Sequence, residues 1–131
     1  MSLFRLNRQK LAEAAKKVSL RVFKGQLNLS NVGRSKVFSV DGHPVDIIGY
    51  VIVEAGLRGT LRTMRFKMEG RKAWQPRWVD SEETMRALIG EDLDVALCLW
   101  DLEKVNKLSG IKRKIELSEG LKTLAYLLER Q

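Results

Sequence analysis

At Val18 the spacing of apolar residues along the chain changes from three or four positions to two. Before it, Phe4, Leu11, Ala14, Ala15 and Val18 recur at helical spacing, so residues 3–17 predict an amphipathic helix. After it, Val18, Leu20 and Val22 alternate with Ser19, Arg21 and Phe23, and Leu27 and Leu29 alternate with Gln26, Asn28 and Ser30. With Lys24-Gly25 between them, the two runs predict a β-hairpin whose turn uses the positive φ open to Gly25. A helix running straight into strands commits the chain to a mixed architecture.

Asp41-Gly42 is a hairpin signal between Val37–Val40 and a long apolar strand at Val45–Val53. Thr60–Met68 returns as a strand, with Met64, Phe66 and Met68 on one face and Thr63, Arg65 and Lys67 on the other. Asp80 and Glu83 stand at capping-box spacing and start a helix that Gly90 ends. Leu93–Trp100, the most apolar run, reads as a central strand, and Ile111–Leu117 as an edge strand guarded by Lys112 and Lys114. Ser118 then caps a last helix that packs through Leu121, Leu124, Ala125 and Leu128. The expectation is an α+β fold, mostly antiparallel β-sheet, with an N-terminal, a middle and a C-terminal helix, in one domain spanning residues 1–131.

Charge narrows the choice of partner. The net charge is +8, and residues 1–37 hold nine basic residues against the single acid Glu13, whereas residues 38–131 hold fifteen of each sign. A basic N-terminal segment predicts an anionic partner: nucleic acid, a membrane surface or an acidic protein. Arg21, Lys24, Arg34 and Lys36 continue the charge beyond the first helix and are candidate phosphate contacts. A second patch is expected where Arg65 and Lys67 lead into the stretch EGRKAWQPRW, which adds Arg71, Lys72 and Trp74. There Trp74 is placed to stack on an unpaired base, while Trp78 is assigned to the core.

One short motif points to a ligand class. Asn28, Ser30 and Gly33 fit the pattern N-x-S-x-x-G, which resembles the second signature of PilZ domains. In that family the motif ends an early hairpin and helps bind the dinucleotide cyclic di-GMP, together with an upstream R-x-x-x-R. The resemblance covers six residues, and the arginine signature departs from it: only Lys17-x-x-x-Arg21 approaches that spacing.

Enzymatic chemistry is thinly supplied. The sole histidine, His43, lies just past a predicted turn, and the sole cysteine, Cys98, lies in an apolar run where a buried, inert thiol is expected. Glu91, Asp92 and Asp94 form an acidic group able to hold magnesium, but they also fit a solvated connecting turn. Phosphate-loop, dinucleotide and zinc-protease motifs are missing from the sequence. One cysteine and no long apolar run predict a cytoplasmic protein with no transmembrane segment, while a single His and Cys and the missing motifs predict no metal and no cofactor. The function expected is non-enzymatic nucleic-acid binding through phosphates with limited sequence preference. An adaptor module in a protein assembly and PilZ-like cyclic-dinucleotide binding are the alternatives, and self-association is compatible with the first two.

Overall fold

The computed structural model describes residues 2–27, 37, 43–44, 46–61 and 81–130. Among them the regular structure is helical and no strand occurs, which overturns the expected α+β fold. Helix α1 spans Leu3–Phe23, α2 Ile47–Glu54, α3 Ser81–Ile89, α4 Leu93–Val105 and α5 Gly110–Glu129. Residues 58–61 are also helical. No helix of the described residues is long and apolar enough to cross a membrane.

The three expected helices are present, but two are longer than expected and five predicted strands are partly or wholly helix among the described residues. The residues predicted as the first arm of the hairpin belong to α1. Leu11, Ala15, Val18 and Val22 are buried at spacings of four, three and four, so both valines continue the helical stripe. Leu20, the residue that made the run look alternating, is 52% exposed. Gly25 does take the positive φ expected of it, at 71°, but as the residue that ends a helix. The Gly25 amide donates to the Val22 carbonyl and the Gln26 amide to that of Arg21, closing the last turn.

The predicted strand Val45–Val53 overlaps α2, which starts where the Asp46 carboxylate accepts from the Ile48 amide at 2.9 Å. Its apolar residues are buried on nearly every side, and such a helix has no periodicity to tell it from a buried strand. The predicted central strand lies within α4. There Val95, Leu99 and Leu102 form a buried helical stripe, while Leu93, Leu97 and Trp100 form an exposed one. Two apolar stripes on one helix read as a continuous apolar run. The predicted edge strand is the first half of α5, and Ser118, expected to cap a helix, is buried within it. Of Thr60–Met68, only residues 60 and 61 are described, and they are helical.

Helices α1 and α5 form the antiparallel axis of the bundle. At one end the Arg8 guanidinium donates to the Leu127 and Leu128 carbonyls at 2.9 and 3.2 Å. Toward the other end Ser19 Oγ donates to the Ser118 carbonyl at 2.7 Å, and Ser118 Oγ to the Ser19 carbonyl at 3.2 Å. These bonds satisfy two buried hydroxyls and let the two backbones approach closely. Against this axis pack α2 and α3 on α1 and α4 on α5, closing a core that includes Leu11, Ile52, Leu88, Leu99 and Leu121.

Candidate nucleic-acid interface

The antiparallel pairing decides which charges meet. Because Ser19 faces Ser118, the end of α1 lies beside the beginning of α5. Arg21, half-buried in the last turn of α1, and Lys24, exposed as its C-cap, therefore stand at the end of the bundle that carries Lys112, Arg113 and Lys114. The approach is close, since a Cβ at Gly25 would lie 3.4 Å from Lys114 Nζ. A short connection from α4 brings Lys104 and Lys107 to the same end.

Nothing acidic lies in the first turn of α5, and its N-cap Ser109 makes no side-chain hydrogen bond to the leading amides. A helix start without its own acceptor adds positive potential to the lysines beside it. Among the described residues, Arg21, Lys24, Lys104, Lys107, Lys112 and Lys114 make no ion pair. Apolar side chains are interleaved with them: Phe23 is 58% and Ile111 75% exposed, and Leu20 and Ile115 are exposed as well.

The opposite end is electrostatically closed. Arg8 pairs with Asp92 at 2.9 Å, Arg130 with Asp94 at 2.7 Å and Arg86 with Glu91 at 3.6 Å, while Lys16 pairs with Glu129. Each carboxylate of the acidic group Glu91, Asp92 and Asp94 thus has an arginine. Burial works to raise the pKa of Asp92, but the Val95 amide and the neighbouring Arg8 and Arg130 outweigh it and hold the carboxyl below its usual range. A cleft of about 510 Å³ opens here between the starts of α1 and α4, with Arg8 and Asp92 among its lining residues. Its charges are largely spent on one another.

Of the residues singled out from sequence, Arg21 and Lys24 take part in the basic end. Arg34, Lys36, Arg65, Lys67, Arg71, Lys72 and Trp74 lie outside the described residues, as do Trp78 and the motif at 28–33. The first arm of the hairpin expected to lead into that motif is helix. Cys98 is buried against α5, its thiol donating to the Gly120 carbonyl at 3.8 Å, and burial followed by the charge of Asp101 pushes its pKa up to about 11. His43 is exposed.

Sequence reasoning missed Lys104, Lys107, Lys112, Arg113 and Lys114 as a group. Their signal is present, because residues 104–115 hold five basic residues and no acid. Averaging charge over residues 38–131 concealed it. Comparison of the chain with models of protein families, with curated protein sequences and with solved structures finds no match.

Proposed function

We propose that this protein is a non-enzymatic nucleic-acid-binding protein that contacts phosphates through the basic end of the bundle, with limited sequence preference. One observation carries the reading. Segments far apart in sequence, 21–24 and 104–114, converge through the α1–α5 pairing. They gather Arg21, Lys24, Lys104, Lys107, Lys112 and Lys114, which have no acidic partner among the described residues. Cations so arranged repel one another in the free protein and are relieved by a polyanion, whose counterions are released on binding.

The test is fluorescence anisotropy with labelled DNA and RNA across a salt series, comparing wild type with the double variant Lys112→Glu/Lys114→Glu. Affinity should fall steeply with salt, and the variant should bind at least about tenfold more weakly. Its log–log salt slope should be shallower by roughly one unit for each phosphate no longer neutralised. Absence of binding at low salt would remove the reading.

A second reading, a protein-interaction module, is supported by the exposed stripe Leu93, Leu97 and Trp100 on α4, with Trp100 57% exposed. Contiguous exposed apolar surface is a mark of protein interaction sites. Sedimentation of the wild type against Leu97→Glu tests for self-association through that face.

A further inference from the structure

The basic end carries an apolar strip that phosphate contact alone does not explain. Ser19 and Ser118 mark the seam between α1 and α5. Phe23 lies one helical turn after Ser19, on the same side of α1, and Ile115 and Ile111 lie one and two turns before Ser118, on the same side of α5. All three therefore follow the line of the seam, yet all three are exposed. Further along, toward Leu11 and Leu124, that seam closes into core; here it opens to the surface. Lys24, next to Phe23 at the end of α1, and Lys112 and Lys114, beside Ile111 and Ile115 on α5, border the strip, while Arg21, two residues from Phe23, lies across the helix from it.

Resting on the nucleic-acid reading above, we infer that the preferred ligand is single-stranded, with unpaired bases seated on Phe23, Ile111 and Ile115 while the flanking lysines hold the phosphates. A duplex keeps its base faces stacked inside and offers this strip only sugar and phosphate, so the apolar area would be desolvated without a counterpart. An unpaired base offers a flat apolar face, with an anionic backbone within reach of the surrounding cations. An anionic bilayer fits less well. An interfacial helix needs an apolar face along its length, and α1 and α5 bury theirs in the bundle, leaving only the terminal turns exposed.

The experiment compares one mixed-sequence oligonucleotide, single-stranded and as its duplex, and vesicles of phosphatidylserine and phosphatidylcholine, at a single salt concentration. Wild type, Phe23→Ala, Ile111→Ser and Lys112→Glu/Lys114→Glu are each checked for helical content first. Single strands should bind at least about tenfold more tightly than duplex. Phe23→Ala should lose about 5- to 150-fold on single strands, the range for one stacked base, and less on duplex, so that the preference narrows. Ile111→Ser should narrow it in the same direction, whereas Lys112→Glu/Lys114→Glu should weaken both forms. Equal affinity for the two forms, or losses in Phe23→Ala and Ile111→Ser that do not discriminate between them, would overturn the inference and leave phosphate binding standing. Vesicle binding that depends on Phe23, without a strand preference, would also overturn it. Failure to bind any oligonucleotide would remove both readings together.

Discussion

Arg8 and Asp92 form an ion pair of 2.9 Å that is almost closed to water, and each also fastens a helix end. Arg8 donates to the last carbonyls of α5, while the Asp92 carboxylate accepts from the Val95 amide and starts α4. One pair thereby holds α1, α4 and α5 together. Arg8→Ala should cost about 1–3 kcal/mol, because it removes a charge-assisted donor from Asp92 and from two carbonyls of α5. Arg8→Lys should recover little of this, since a single ammonium lacks the guanidinium's planar fork. Asp92→Asn keeps an acceptor for Val95 and should cost less than Arg8→Ala. Urea unfolding followed by circular dichroism measures all three.

Asp46 gives the opposite pH dependence from Asp92. Burial is the main cause that raises its pKa to about 6, assisted by the charge of Glu103 and opposed by the amides at the start of α2. The folded protein thus binds this proton more tightly than the unfolded chain does. The contribution is fully present below pH ~4 and is lost as pH rises through about 6. Asp46→Asn retains a side-chain acceptor for the Ile48 amide. It should stabilise the protein at pH 7 by about 2–3 kcal/mol, a gain that disappears toward pH 4. Asp92, held low, contributes at neutral pH and loses its contribution as the medium falls below the normal carboxylate range. Thermal melts of wild type, Asp46→Asn and Asp92→Asn from about pH 3 to about pH 8, bracketing both groups, separate the two effects.

Gly49 is required for close approach within the bundle. A Cβ there would lie 2.5 Å from the Val37 carbonyl oxygen and 3.0 Å from the Pro44 Cβ. The first is a backbone atom with little freedom to move away, so Gly49→Ala should destabilise by about 1–3 kcal/mol despite alanine's better helix propensity. Gly59→Ala, with no atom within 4 Å of the added methyl, is the matched control and should be neutral or slightly stabilising. Unfolding midpoints in urea distinguish them.

What the sequence disclosed and what it hid follow from how each helix buries its surface. The first helix is legible up to Lys17, and the last from Ser118, because each presents a single apolar stripe. Val18–Val22 misleads because a helical pair at spacing four, joined by the exposed Leu20, imitates alternation. Ile111, Ile115 and Leu117 imitate an edge strand for a related reason: two exposed isoleucines precede a buried leucine, and only the structure separates their roles. Inside α4, apolar residues on two faces remove the periodic signal altogether. The misassigned segment 111–117 also conceals the site. As a strand its lysines guard an edge, whereas as a helix start they join Lys24 across a seam set by two serines, at the end of the bundle that also carries Arg21.

That seam can be tested without changing a charge. Ser19 and Ser118 exchange hydrogen bonds between side chain and backbone, so Ser19→Ala or Ser118→Ala alone should cost about 1 kcal/mol, and the pair should cost measurably less than the sum of both. Ser19→Val adds bulk where the hydroxyls stand 2.9 Å apart and should push α1 away from α5. If phosphate binding needs Lys24 held beside Lys112 and Lys114, this variant should lose nucleic-acid affinity by a fold-change approaching that of Lys112→Glu/Lys114→Glu while retaining its net charge. Ser19→Ala should retain the wild-type affinity. Equal affinity in wild type, Ser19→Ala and Ser19→Val, with helical content intact, would mean that the cations act independently of their register and that the seam serves the fold alone.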